Sequence, residues 1–101
     1  MNILFNFSFL KSGGGNNVGL NFLSSLNNSK KYFFVVIENS PIHNYLTENN
    51  WANINLVSGN TLIRTIQDII KVTQIINKNK IDILYTYFGF SLNLSKVPQV
   101  I

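Results

Sequence analysis

Short apolar runs recur along the chain, and each has the length of one buried β-strand. Most contain few polar residues, which is typical of strands covered on both faces of a sheet. The runs lie at residues 2–10, 32–37, 53–57 and 81–86, and a fifth begins at 97–101. The second run, Tyr-Phe-Phe-Val-Val-Ile, is wholly aromatic or β-branched and predicts a central strand.

The segments between these runs carry helical spacing and helix start signals. After a Ser-Gly-Gly-Gly break at 12–15, Asn16 or Asn17 is the expected N-cap of a first helix. Ser40 and Pro41 are the expected cap and first turn of a short second helix, since proline is favoured at that position.

A third, longer helix is predicted from Asn60 or Thr61 to about Asn77. Its apolar residues form a stripe that we expect to face the sheet, with the polar residues elsewhere around the helix. The stripe consists of Leu62, Ile63, Ile66, Ile69, Ile70, Val72 and Ile76, and the polar set includes Arg64, Gln67, Asp68, Lys71 and Gln74.

Strands that alternate with helices over short connections predict right-handed βαβ crossovers. The fold class is therefore α/β, a Rossmann-like parallel sheet of four to five strands with three helices on both faces. We expect residues 1–101 to form one partial Rossmann-like domain, because the chain ends on an apolar strand start without a closing helix. Such a truncated domain is expected to catalyse nothing alone.

Composition removes several classes of function. The chain has 46% hydrophobic residues and no cysteine, so disulfides and thiolate chemistry are excluded and a cytoplasmic protein is expected. Its net charge of +4 comes from scattered basic residues, which does not form the basic face of a nucleic-acid binder. Weak attraction to a phosphorylated ligand or to the inner face of a membrane stays open. No segment predicts a signal peptide or a membrane span.

The glycine loop is the sharpest candidate site, because ligands of open α/β sheets bind at the carboxyl ends of the strands. Gly13, Gly14, Gly15 and Asn16 would let a phosphate or diphosphate approach the backbone at a helix N-terminus. The GxGxxG spacing is broken, since its third glycine position holds Val18. A tight turn without a ligand is the alternative.

Three further positions follow predicted strands. Glu38 stands where a dinucleotide-binding domain holds its ribose-binding acid, although an exposed loop acid is the simpler interpretation. His43 is the single histidine and would carry any acid–base role at neutral pH, with a solvated surface residue as the alternative. Tyr87 belongs to an aromatic segment, 85–91, that suits stacking on a sugar or ordinary packing.

Two segments resemble a known family. Asn2-Ile3-Leu4-Phe5, then the 10–15 segment Leu-Lys-Ser-Gly-Gly-Gly and the 17–23 segment Asn-Val-Gly-Leu-Asn-Phe-Leu, resemble the N-terminal opening of family 4 glycosyltransferases of the GT-B fold. The 81–89 segment Ile-Asp-Ile-Leu-Tyr-Thr-Tyr-Phe-Gly is similar to that family's Asp-Ile-Val-His-Thr-His strand and the following loop. With the strand order between them, the two matches span nearly the whole chain.

The resemblance implies a transferase that moves a sugar from a nucleotide-sugar donor to a sugar or lipid-linked acceptor. It implies that this domain holds the acceptor and that Gly13, Gly14 and Gly15 lie near the donor diphosphate. Tyr85 and Tyr87 replace histidines common in the family, so no catalytic role transfers to them. The family's C-terminal nucleotide-sugar domain, with its paired glutamates, is absent from these 101 residues.

Two other functions stay open beside the transferase. One is a dinucleotide-binding half-domain of an oxidoreductase, and the other is a non-catalytic α/β interaction domain. For the transferase we expect neither a cofactor nor a metal, because no cluster with metal-ligand spacing occurs in the sequence.

Overall fold

Five parallel strands form one sheet in a computed structural model that describes residues 1–8, 14–86 and 97–100. The strand order across the sheet is β3-β2-β1-β4-β5. The strands are β1 (Ile3–Asn6), β2 (Tyr32–Ile37), β3 (Ile54–Val57), β4 (Ile83–Thr86) and β5 (Gln99–Val100). The predicted α/β class with a Rossmann-like parallel sheet is confirmed.

Helices cover both faces of this sheet. The helices are α1 (Gly14–Ser24), α2 (Pro41–Glu48), α3 (Thr61–Gln67) and α4 (Thr73–Asn79), and a π-helical turn (Asp68–Val72) joins the last two. Residues 61–79 therefore form one continuous helical segment, here called the long helix. The described crossovers run β1-α1-β2, β2-α2-β3 and β3 through the long helix to β4.

Each face of the sheet has its own apolar core. The α1 and α2 face is aromatic, and the ring of Phe5 packs on Phe34 and Tyr85 at centroid distances of 5.7 and 5.6 Å. Its buried members are Phe5, Phe7, Leu23, Phe34, Val36, Ile42, Leu46 and Trp51. The long-helix face is aliphatic, with buried Leu4, Val35, Ile37, Val57, Val72, Ile75, Ile76, Ile81 and Leu84. Alternate residues of one strand enter opposite cores.

Several predicted boundaries are confirmed, and those of the first strand and the first helix differ most. The Ser40 hydroxyl caps α2 with Pro41 next to it, and the Asn60 carboxamide caps α3. The first strand is shorter than predicted and ends at Asn6, although the following residues to 8 remain buried. α1 begins at Gly14, so Asn16 lies in its first turn and is not its N-cap.

The expected apolar stripe of the long helix is wrong in its first half. Leu62 and Ile66 are 72% and 52% exposed, and Ile63 and Ile70 also face solvent. Asp68, expected away from the sheet, is 2% exposed. Polar residues therefore face the sheet up to Asp68, and mainly aliphatic residues face it from Val72 onwards.

The π-turn explains how this buried face is maintained. The inward residues follow two rows spaced by four, namely 64, 68, 72, 76 and 67, 71, 75, 79. In a regular α-helix of 3.6 residues per turn, a row spaced by four rotates by about 40° at each step. A π-turn contains more residues per turn and offsets this drift. It thereby keeps a polar first half and an apolar second half over the same sheet.

Truncating Ile76 and Ile66 to alanine tests this orientation of the long helix. Ile76 is 3% exposed in the aliphatic core, so Ile76→Ala should lower the free energy of unfolding by about 2–5 kcal/mol. Ile66→Ala, the matched control, should change it by less than about 0.5 kcal/mol because its side chain is largely solvated. Urea unfolding followed by circular dichroism measures both, and equal losses would contradict the orientation.

Candidate functional site

The strand order reverses between β1 and β4, which is where open α/β sheets bind ligands. From β1 the chain crosses to β2 by α1 on one face, whereas β4 is reached by the long helix on the other. Of the residues that the structure describes, four buried polar ones lie at the carboxyl end of this strand pair and are here called the polar corner. They are Asn6 and Ser8, both 0% exposed, and Asp68 and Thr86, both 2% exposed.

Asn6 is the hub of the polar corner. It is the last residue of β1, and its register partner in β4 is Thr86. Its Nδ2 donates a hydrogen bond of 2.8 Å to Asp68 Oδ1 in the π-turn. Its Oδ1 accepts one of 3.0 Å from the backbone N–H of Ser8. One carboxamide thus joins the strand, the loop after it and the long helix.

Thr86 extends the corner towards the neighbouring strand. Its hydroxyl donates a hydrogen bond of 2.6 Å to Gln99 Oε1 in β5. The carbonyl of Pro98 accepts another, of 3.0 Å, from the N–H of Leu84. The carboxyl edge therefore presents a carboxylate, two hydroxyls and two carboxamides, the groups that orient a hydroxyl-bearing ligand.

Among residues 1–8, 14–86 and 97–100, two buried polar atoms near this edge have no hydrogen-bond partner. They are the hydroxyl oxygen of Ser8 and the Nη1 nitrogen of the half-buried Arg64. Most buried polar atoms in native proteins are paired, and an unpaired one costs about 1–3 kcal/mol. Such atoms mark the places where an added polar group would stabilise the fold.

The described part of the glycine loop lies at the same edge of the sheet. Gly14 and Gly15 are the first residues of α1, and the Asn16 backbone follows them in the first turn. The opening N–H groups of a helix lack partners within it, so this end of α1 suits an anion. Gly13 and Tyr87 lie outside the described residues.

His43 is not part of the polar corner. Its Nδ1 accepts a hydrogen bond of 2.9 Å from the N–H of Asn39, and its own N–H donates one of 3.2 Å to Ser40 Oγ. These bonds close the turn between β2 and α2. Because α2 covers the face opposite Asp68, the structure does not bring His43 and Asp68 together.

Glu38 is exposed at the carboxyl edge of the sheet, whereas Tyr85 packs in the aromatic core. Glu38 is exposed directly after β2, and its N–H continues the strand pairing by donating to the Val57 carbonyl at 2.9 Å. The Tyr85 ring stacks on Phe5, so it belongs to the aromatic core. Glu38 therefore remains available to a ligand at the edge, whereas the Tyr85 ring is used in packing.

Sequence reasoning missed the polar corner, although a signal was present. Asn6 and Ser8 interrupt the first apolar run two residues apart, in phase with Leu4. Residues of one strand separated by two lie on one face, so this spacing places the Asn6 side chain on the long-helix side together with Leu4. The burial of Asp68 had no local signal, because it depends on the orientation of the whole helix.

A separate cavity of about 320 Å³ lies near the start of β3 and the end of α4. It is lined by Phe33, Asn53, Asn55, Gln74, Ile75, Lys78 and Asn79. The amide nitrogens of its asparagines are held by backbone carbonyls, for example Asn53 by Lys30 and Asn55 by Phe34. These side chains serve the fold, and the cavity lies far from the carboxyl edge.

Replacing Asn6 by alanine tests whether its carboxamide holds the corner together. Asn6→Ala leaves the Asp68 carboxylate without this donor and the Ser8 N–H without its acceptor, so the free energy of unfolding should fall by about 2–4 kcal/mol. Asn27→Ala, at an exposed position, is the control and should change it by less than about 0.5 kcal/mol. Chemical denaturation measures both, and a neutral Asn6→Ala would show that the corner contributes nothing to the fold.

Comparison with known proteins adds no further residue to this site. No protein-family model, curated protein or solved structure matches the chain significantly. Within residues 1–8, 14–86 and 97–100, no three His, Cys, Asp or Glu side chains are grouped to hold a metal ion. The helices of that same part are all too short or too polar to cross a bilayer. A function for this chain is therefore inferred from its fold and from the polar corner alone.

Proposed function

We propose that this chain is the acceptor-side, Rossmann-like domain of a glycosyltransferase and is inactive alone. The observation that carries the proposal is the polar corner at the switch point between β1 and β4. Carboxylate, carboxamide and hydroxyl groups at one edge can donate to and accept from the hydroxyls of a sugar. An apolar edge would not support such a ligand.

The polar side chains of the corner would bind the acceptor sugar through its hydroxyl groups. The Asp68 carboxylate and the Asn6 carboxamide hold sugar hydroxyls, and their mutual hydrogen bond of 2.8 Å sets their orientation. The Thr86 hydroxyl and Gln99 hold the opposite side of the ligand. All of these groups are buried or half-buried.

The donor side of the reaction belongs to the same proposal. Gly14 and Gly15 at the start of α1 would lie near the diphosphate of a nucleotide-sugar donor, together with Gly13. The residues that grip the donor nucleotide would come from a second domain. Separation of the two substrates between domains explains why this chain alone should transfer no sugar.

The cellular setting is also proposed. We place the protein in the cytoplasm, with peripheral contact at the inner face of the membrane when the acceptor is lipid-linked. The exposed aliphatic residues Leu62, Ile63 and Ile66 support this contact, because they start the long helix at the carboxyl edge of the sheet. The net charge of +4 favours an anionic surface.

A saccharide titration tests the proposal. Maltose, N-acetylglucosamine or glucose added to the ¹⁵N-labelled full chain should shift the Asn6 side-chain amide and the Thr86 backbone amide. Thr86→Val keeps the shape of the side chain but removes its hydroxyl, and should weaken saccharide binding roughly fivefold. Thr47→Val, exposed on α2, is the control and should leave the affinity unchanged.

The same titration separates the proposal from its alternatives. NAD⁺ that shifts Glu38 and Gly14 while saccharides shift nothing would replace the transferase with a dinucleotide-binding domain. Glu38 favours that alternative because it is exposed at the end of β2, beside β1. If neither ligand class shifts the carboxyl edge, the proposal is wrong and an interaction domain remains. Turnover of UDP-glucose by this chain alone would contradict its proposed inactivity.

A further inference from the structure

The two unpaired buried atoms belong to residues that are bonded to the two partners of the Asn6–Asp68 hydrogen bond. Ser8 follows Asn6 by two residues, beyond the carboxyl end of β1, and its N–H is bonded to Asn6 Oδ1 at 3.0 Å. Arg64 precedes Asp68 by one helical turn, and the Asp68 N–H donates to the Arg64 carbonyl. The helix after β3 begins at the carboxyl edge of the sheet, so that turn also lies beyond this edge.

The helix geometry brings the guanidinium within reach of the corner. Side chains four apart on a helix are neighbours, with Cβ atoms about 5–6 Å apart. An arginine side chain is longer than this separation. Arg64 is half-buried and its Nη1 is buried, so the guanidinium lies against the protein, on the same side of the helix as Asp68.

We propose that Arg64 and Ser8 form a subsite for a phosphoryl group at the carboxyl edge of the sheet. A guanidinium donates two parallel N–H bonds to a phosphate, and a serine hydroxyl donates to a third oxygen. A bound phosphoryl group would pair both the Nη1 of Arg64 and the Oγ of Ser8. The inference rests on the proposed function only in placing a ligand at this edge.

The negative charge of the neighbouring Asp68 lowers the affinity of the subsite for phosphate. Asp68 lies one turn from Arg64 and disfavours an anion, and its hydrogen bond to Asn6 directs one of its oxygens towards β1. Arg64 therefore has to outweigh a nearby negative charge. Removing that charge by Asp68→Asn, which keeps the acceptor for Asn6, should tighten phosphate binding several-fold.

Inorganic phosphate and pyrophosphate are the probes, added to the ¹⁵N-labelled full chain at constant ionic strength. They should shift the Ser8 backbone amide and the Arg64 Nε resonance with one common dissociation constant. Arg64→Gln should weaken binding roughly tenfold or more, and Arg64→Lys should weaken it less, because it keeps the charge but loses the two-pronged geometry. Lys80→Gln, an exposed cation at the opposite end of the long helix, is the control and should not change the affinity.

Ser8→Ala supplies a readout that does not depend on Arg64. It should weaken phosphate binding a few-fold, and it should leave the thermal midpoint unchanged or higher because it deletes an unpaired buried hydroxyl. A lower midpoint would show that the hydroxyl serves the fold. Phosphate binding equal in Arg64→Gln and the wild type would overturn the subsite.

The outcomes for phosphate and for saccharide are independent. Phosphate binding that requires Arg64, in a chain that binds no saccharide, keeps this inference and rejects the proposed transferase domain. Saccharide binding without phosphate binding keeps the transferase proposal and rejects the subsite. If the Arg64→Gln variant does not fold, Arg64→Lys is used in its place. Its partial loss of phosphate affinity likewise shows whether binding requires Arg64.

Discussion

The hydrogen bond between Asn6 and Asp68 is the contact on which the arrangement of the carboxyl edge depends. It joins the last residue of β1 to the π-turn of the long helix at 2.8 Å in a buried environment. The pairing satisfies one oxygen of a buried carboxylate, and together with the buried Val72 and Ile76 it holds this side of the helix against the sheet. That orientation places Arg64 at the edge and leaves Leu62 and Ile66 exposed.

The orientation also explains why the long helix changes character along its length. Over β1 and β4 the strands present Leu4 and Leu84 in their middle but Asn6 and Thr86 at their carboxyl ends. Each half of the helix matches the part of the sheet beneath it. The π-turn lies at the change from polar to apolar contact, and such turns are frequent at functional sites.

Most of the fold could be predicted from local pattern. The second strand has the predicted bounds, and Ser40 and Asn60 act as the predicted caps. Strand bounds and helix caps depend on residues that are adjacent in the sequence, so the local pattern is enough to predict them. The first helix begins at Gly14, two residues before the predicted cap at Asn16. The prediction began the helix too late because glycine has a low helix propensity.

The candidate site could be predicted only in its location. The rule for open α/β sheets indicates the carboxyl edge, and Gly14 and Gly15 lie there. The polar corner depends on contacts between residues 62 positions apart, which periodicity does not reveal. An amphipathic pattern assumes that aliphatic residues face the core, and the first half of the long helix reverses that assumption because its sheet surface is polar.

The most direct measurement is a set of nuclear Overhauser contacts in the isotopically labelled full chain. The Asn6–Asp68 hydrogen bond predicts contacts between the Asn6 side-chain amide protons and the Asp68 Hβ protons, and the exposure of Ile66 predicts none between its methyl groups and β1 or β4. Methyl contacts from Ile66 to Leu4 or Leu84, together with a solvated Asp68, would contradict both predictions. The long helix would then present its aliphatic stripe to the sheet, and the polar corner would not exist.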